Sequence, residues 1–166
     1  MKTETVVTAL LLATMFQRTS IAQQWRPNTP PPFDSLPVHS DSVTERVAVD
    51  LTSHRDARRF RTMLREGARK GVNFAGHFAL VTWGCGTDCQ QLAIIEARSG
   101  RVFFAPFTPE RAPHFRTDSR LLAIDPYGSA FSEEDLPGPR FQKRYAWDGT
   151  SLVLRDSAAM TMVKQR

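Results

Sequence analysis

Cysteine is scarce in this sequence, and so are long apolar segments. Two cysteines among 166 residues exclude a disulfide-dense miniature scaffold. The apolar segment from Val6 to Met15 is too short to span a bilayer stably. No repeat period is visible, so we expect neither a solenoid nor a propeller. The remaining composition, 41% hydrophobic and 23% charged residues, is typical of one soluble globular domain.

The first 22 residues have the pattern of a signal peptide. Lys2 supplies a positive start, the apolar segment follows, and Ser20-Ile21-Ala22 fits the small-x-small pattern before a cleavage site. We expect cleavage near Ala22 and a periplasmic or secreted protein with no transmembrane segment in the mature chain. The alternative is an uncleaved hydrophobic anchor. The chain has a formal net charge of +5, but export would separate it from nucleic acid, which we do not expect as a partner.

The rest of the chain divides into three segments by composition. Residues 23–42 contain five prolines and no periodicity, which predicts a Pro-rich linker or arm. Residues 43–156 are predicted to form a single α+β domain. Residues 157–166 are predicted to be a frayed tail.

A helix is predicted at about 54–69. Ser53 stands three residues before Asp56 in a capping-box arrangement, and Phe60 begins an apolar series at helical spacing. Gly71 can end the helix in the left-handed region. The opposite face of this helix holds Arg55, Arg58, Arg59, Arg61, Arg65 and Arg69.

Alternating apolar residues and short turns predict six to seven strands. Arg98-Ser99-Gly100 and Asp148-Gly149 are the clearest turn signals between them. The fold class is therefore α+β, a mostly antiparallel meander with one amphipathic helix packed on the sheet. The predicted strands are residues 46–51, 74–83, 91–97, 101–104, 120–125, 141–147 and 151–155.

The stretch from Asn73 to Gln91 is the centre of this prediction. Its strand has apolar residues on both faces, which predicts a position inside a sheet. The strand leads into Cys85 and Cys89. An exported chain meets an oxidising compartment, where such a pair forms a disulfide. Gly84 and Gly86 would let the chain bend back far enough for the two sulfurs to meet.

Two other uses of the cysteines stay open. A redox dithiol usually has two residues between its cysteines, whereas Cys85 and Cys89 have three between them. A zinc site would require two further ligands without the usual paired spacing. We therefore expect no metal and no cofactor. The available histidines are His39, His54, His77 and His114.

Four residues on or beside the predicted turn are candidates for binding a partner. Turn formation alone also explains Thr87 and Asp88, and a histidine on an apolar strand is more often a hydrogen-bonded core residue. An acidic cluster at residues 133–135 is interpreted as a solvated loop rather than a metal site. The four candidates are His77, Trp83, Thr87 and Asp88.

The central motif resembles a known group of proteins. Asn73–Cys89 (NFAGHFALVTWGCGTDC), followed by QQLAII, is similar to the signature of small exported bacterial proteins of uncharacterised function. The segments DSRLLAI (118–124) and YAWDGTSLVL (145–154) fit the same pattern. The resemblance implies export, this fold and the disulfide. Members often carry a further cysteine pair after the DSRLLAI strand, which residues 126–139 lack.

Two functions remain open from the sequence. The favoured one is a non-enzymatic binding or structural domain, expected to be monomeric, whose disulfide-fixed turn contacts an envelope protein or an anionic surface. The alternative is an envelope hydrolase, or a thiol- or metal-dependent enzyme, using His77 with Cys85 and Cys89 or with Asp88. The first is favoured because spacing alone places no pair of acid–base groups together.

Overall fold

The computed structural model describes residues 23–39, 48–126 and 138–164. The predicted signal peptide and the acidic cluster at 133–135 lie outside these residues. Within these ranges there is one α-helix, α1 (Arg61–Lys70), and a short 3-10 helix at Phe33–Ser35. The strands are β1 (Gln23–Pro27), β2 (Phe78–Gly86), β3 (Cys89–Glu96), β4 (Val102–Phe104), β5 (His114–Phe115), β6 (Leu121–Ile124), β7 (Arg140–Trp147) and β8 (Leu152–Lys164).

The strands form two antiparallel sheets. A five-stranded sheet has the order β1-β8-β7-β6-β5, and a three-stranded sheet has the order β2-β3-β4. The described chain therefore has the expected α+β class and antiparallel pairing, with eight strands where six to seven were predicted. No helix in the described ranges is long and apolar enough to cross a membrane.

The main core lies between the two sheets. Leu80 and Ile94 of the small sheet meet Leu122 and Trp147 of the large sheet in one buried cluster. Trp147 is 2% exposed, and the ring of Phe78 packs edge-on against it with centroids 5.3 Å apart. Burial of aromatic and branched side chains from both sheets is the main force that holds the layers together.

A second core lies on the outer face of the small sheet. Leu64 of α1 is fully buried there with Val81 of β2 and Ile95 of β3. The molecule thus has three layers, with α1 outside the small sheet and the large sheet on its other side.

Both faces of β2 are buried, as predicted, but the strand does not lie in the interior of its sheet. Phe78 and Leu80 face the large sheet, whereas Ala79 and Val81 face α1. Among the described residues β2 pairs along its length only with β3, so it is an edge strand of the small sheet. The expectation of an interior strand was wrong because burial on two faces reports the layers above and below, not the hydrogen-bonded neighbours.

The helix begins later than predicted. Residues 54–60 form turns, and α1 starts at Arg61 without a side-chain cap. The capping box is not formed, because the Ser53 hydroxyl donates to the Asp50 carbonyl and accepts the N–H of Val102 in β4. Gly71 ends the helix at φ 100°, as expected.

The predicted arm and tail are paired with each other. β1 lies within the Pro-rich segment and pairs antiparallel with β8, with Trp25 opposite Met162. The spacer and frayed-tail predictions are therefore wrong for residues 23–27 and 157–164. Trp25 is only 7% exposed, so burial of its indole helps to hold β1 on the sheet beside β8.

Two smaller predictions also require correction. Residues 48–51, within the first predicted strand, form no strand, although the Asp50 N–H donates to the Gly100 carbonyl at 2.8 Å. The segment 106–118, predicted to be a loop, contains the two residues of β5. The turns at residues 98–100 and 148–149 occur where they were predicted.

Candidate functional site

The tip of the β2–β3 hairpin is closed by a disulfide. The strands pair from Phe78 opposite Glu96 to Gly86 opposite Cys89, leaving Thr87 and Asp88 as the loop. Cys85 and Cys89 are bonded, with their α-carbons 5.1 Å apart. Four residues of extended chain would span about 13 Å, so the chain doubles back here, as the disulfide required.

Left-handed backbone at two residues produces this bend. Gly86 has φ 140° and Asp88 has φ 51°. Glycine adopts this region without strain, and aspartate is one of the few other residues that tolerate it. The expectation that Gly84 would also supply the bend was wrong, because its φ is not positive and Asp88 takes that role.

The tip stands clear of the rest of the protein. The residues from Gly84 to Asp88 are all exposed. A Cβ atom built on Gly84 or Gly86 would meet nothing within 4 Å. Behind the tip, the Gln90 N–H donates to the Pro109 carbonyl at 2.8 Å, which ties the hairpin to the loop before β5. The tip is therefore an exposed loop with a covalently constrained shape.

Trp83 lies beneath the tip rather than on it. Its ring packs on Phe60 with centroids 5.0 Å apart and meets Phe104 edge-on at 6.1 Å. These contacts place Trp83 in the helix-side core, where it is half-buried. Of the four residues predicted to bind a partner, only Thr87 and Asp88 are displayed by the tip.

His77 lies at the opposite end of the hairpin. It precedes β2, and its Nε2 is 3.7 Å from a carboxylate oxygen of Glu96. Its ring also lies 4.4 Å from that of Phe78. Six strand residues lie between His77 and Gly84, and the seven residue steps span about 23 Å along β2. The structure therefore does not bring His77 together with Asp88 or with the cysteines, and the arrangement of the enzymatic alternative is not formed.

The Asn73–His77 motif forms a structural corner that starts β2. The Leu80 N–H donates to Oδ1 of Asn73 at 2.7 Å, and Asn73 Nδ2 donates to the Leu80 carbonyl at 3.0 Å. Ala75 has φ 45°, and a Cβ on Gly76 would lie 2.7 Å from the His39 carbonyl oxygen. Backbone geometry and packing thus account for this part of the signature.

A cleft that the sequence did not reveal lies between the Pro-rich segment and the large sheet. It has a volume of about 380 Å³, and Trp25, Phe33 and His114 are among the residues that line it. In its wall, His114 Nε2 is 2.8 Å from Oδ2 of Asp125. Gln142 Nε2 donates to the other oxygen of Asp125 at 2.7 Å.

This polar group continues into the interior. Gln142 is 1% exposed, and its Oε1 accepts a hydrogen bond from Nε of the buried Arg144 at 3.3 Å. Arg144 also donates to the Thr29 carbonyl of the Pro-rich segment. Buried polar side chains are stable only when they are paired in this way. The chain of contacts therefore fixes the orientation of Asp125 and of the segment above it.

His114 and Asp125 stabilise each other's charged form. The hydrogen bond to Asp125 raises the pKa of His114 above its ordinary value, outweighing the effect of burial. Burial would raise the pKa of Asp125, but the hydrogen bonds from His114 and Gln142 outweigh it and lower that pKa. With Nε2 engaged, Nδ1 of His114 is the ring nitrogen left to bind a ligand.

No sequence signal pointed to this pair. His114 and Asp125 are eleven residues apart, and they meet because β5 and β6 pair with His114 opposite Ala123. Sequence reasoning considered His114 only as a possible zinc ligand. In the described part of the chain, no three His, Cys, Asp or Glu side chains are grouped so that they can hold a metal ion.

The chain was compared with known protein families, curated proteins and solved structures. No protein-family model, curated protein or solved structure matches the chain.

Proposed function

We propose that the protein is an exported, non-enzymatic binding domain that contacts a partner in the cell envelope through the tip of the β2–β3 hairpin. The observation that carries the proposal is the covalently closed hairpin tip, whose residues from Gly84 to Asp88 are all exposed. None of these residues belongs to either of the two buried cores. Their geometry is nevertheless restricted by a bond and by the left-handed residues Gly86 and Asp88.

A constrained loop suits binding better than it suits stability. Closing a five-residue loop stabilises the fold by only about 2 kcal/mol in the chain-entropy model. The same constraint lowers the entropy lost when the loop is ordered on a partner, which favours affinity. Within the loop, Thr87 offers a hydroxyl and Asp88 a carboxylate at the outermost positions.

Export is the other half of the proposal. A disulfide between Cys85 and Cys89 persists in an oxidising compartment, and the first 22 residues have the pattern of a signal peptide. The resemblance of the Asn73–Cys89 motif to small exported bacterial proteins supports the same conclusion.

Site-specific photocrosslinking in the exporting cell tests the tip. A photoreactive residue replaces Thr87, and the matched control replaces Val153, which is 52% exposed on the large sheet. We expect a discrete adduct from position 87 and none from position 153. In a Cys85→Ala/Cys89→Ala background the adduct should fall about tenfold, the effect of roughly 1.4 kcal/mol in binding. Equal adducts at both positions, or an adduct unaffected by loss of the bond, would overturn the proposal.

The cleft supports a second candidate function, the binding of a small carboxylate. Arg26 and Nδ1 of His114 line the cleft as donors, and Pro27 and Phe33 supply apolar wall. Titration with benzoate, followed by amide NMR shifts, tests this candidate. We expect saturable shifts around the cleft that disappear in Arg26→Ala and persist in Arg155→Ala. Shifts that are the same in both variants would exclude this function.

A further inference from the structure

The net charge of the protein is concentrated in one short segment. Residues 55–70 contain seven basic and two acidic side chains, a formal charge of +5. That equals the net charge of the whole chain, so the other 150 residues carry 15 basic and 15 acidic side chains and balance. We call the seven cations the basic surface: Arg55, Arg58, Arg59, Arg61, Arg65, Arg69 and Lys70.

The fold displays all of these cations. Every member of the basic surface is exposed, whereas Ala57 and Leu64 of the same segment are fully buried against the small sheet. Of the two acidic residues, Asp56 lies 3.5 Å from Arg55 and near His54. The Asp56 side chain is 41% exposed, and Glu66 is exposed as well. The positive charge faces away from the core, and the segment sets only two carboxylates against its seven cations.

The shape of this surface favours a flat ligand over a chain. α1 is the outermost layer of the described fold and packs inward on β2 and β3. Its ten residues form a cylinder about 15 Å long. The outward face of a surface helix is convex, so a peptide or linear polymer finds no groove there. A plane of anionic groups, in contrast, can contact several of the side chains at once.

The chemistry of the side chains favours phosphate. Six of the seven cations are arginines, whose guanidinium forks bind phosphate oxygens in pairs. Met63, which is 40% exposed on α1, adds an apolar side chain that can enter the headgroup layer. Each basic residue near an anionic bilayer raises partitioning about fivefold. We propose that the basic surface docks the protein onto anionic phospholipid headgroups. This inference rests on the proposed function, because it specifies the anionic surface that the exported domain meets.

Sedimentation with vesicles tests the inference. The purified full chain is mixed with vesicles of phosphatidylcholine, either pure or containing about one third phosphatidylglycerol. The readout is the ratio of binding to the two kinds of vesicle, which cancels any contribution from the apolar segment at the start of the chain. We expect clear preference for the anionic vesicles and loss of that preference at high salt.

Charge-matched variants locate the binding. Arg58→Gln/Arg61→Gln/Arg65→Gln should lower the preference about a hundredfold, which is three fivefold steps. The control, Arg101→Gln/Arg120→Gln/Arg155→Gln, removes three exposed arginines elsewhere and should change it by less than about threefold. Equal losses in the two variants, or no preference in the wild type, would overturn the inference.

Two further measurements separate the alternatives. Inorganic polyphosphate at an equal phosphate concentration should release the wild-type protein from the anionic vesicles only partly. A linear polymer cannot contact as many of the exposed side chains at once as a plane of headgroups can. Complete displacement would overturn the bilayer as the occupant. The Cys85→Ala/Cys89→Ala variant should bind vesicles like the wild type. If that variant alone fails to bind, the tip contacts the lipid, and the inference fails while the proposed function stands.

Discussion

Replacement of Gly67 by alanine tests how closely α1 packs on β2. A Cβ atom built on Gly67 would lie 2.5 Å from Cγ1 and 2.9 Å from Cβ of Val81, and closer still to its Cγ2. Rotation of the Val81 side chain does not relieve the overlap, because its Cβ is fixed by the strand backbone. Either the helix must move away from the sheet or the strand must bend.

The expected magnitude follows from two opposing effects. Overpacking of a well-packed core costs about 1–3 kcal/mol, and the fixed position of the Val81 Cβ favours the upper end. Replacement of glycine by alanine within a helix contributes about 1 kcal/mol in the opposite direction. We therefore expect Gly67→Ala to lower the free energy of unfolding by about 2 kcal/mol.

Urea denaturation of a double-mutant cycle measures this coupling. Val81→Ala removes both methyl groups, so Gly67→Ala should cost less in that background, by at least about 1 kcal/mol. Thr62→Ala, at an exposed position of the same helix, is the control and should change stability by less than about 0.5 kcal/mol. A neutral or stabilising Gly67→Ala, or strict additivity with Val81→Ala, would refute the close approach of helix and strand.

The Asn73 corner, the buried Trp25 indole and the His114–Asp125 pair can each be tested by substitution. Asn73→Ala leaves the backbone N–H and carbonyl of Leu80 without their side-chain partner and should lower the free energy of unfolding in urea by about 1–3 kcal/mol; a loss below about 0.5 kcal/mol would contradict the structural role of the motif. Trp25→Ala should cost about 3–5 kcal/mol in the same assay, since the indole is buried, whereas an unpacked spacer would tolerate the change. The raised pKa of His114 predicts stability that is fully present below its ordinary value of 6.5 and lost as the pH rises through the raised value. Asp125→Asn should remove this pH-dependent loss of stability. If the urea midpoints of the wild type and of Asp125→Asn depend on pH in the same way, the pairing of His114 with Asp125 is disproved.

The alternation of apolar side chains correctly predicted that both faces of β2 are buried. The apolar residues of Phe78–Val81 alternate between the two faces, and the structure places one set against the large sheet and the other against α1. The turn at Asp148-Gly149 was also predicted correctly from its residue types. The Asp148 side chain accepts the N–H groups of Thr150 and Ser151 there, and these bonds hold its pKa well below the ordinary value.

The order of the strands in the sheets could not be predicted from the sequence in the same way. Gln23 pairs with Lys164 across almost the whole described chain. Such a pairing depends on the packing of every element between the two strands, and neither strand carries a local signal for its partner. The prolines of residues 23–42 pointed to an arm, but Pro27 stands at the end of β1, on an outer strand of the sheet, where a missing N–H does least harm.

The sequence by itself determined the local features of this protein: which faces of the central strand are apolar, where the chain turns, and that two cysteines lie close enough to bond. These depend on residues within a few positions of one another. Only the tertiary structure decided that β1 and β8 join, that His77 stands far from Asp88, and that His114 meets Asp125 in a cleft. Those outcomes depend on which distant surfaces bury the most apolar area together, a property of the whole chain that no short segment encodes.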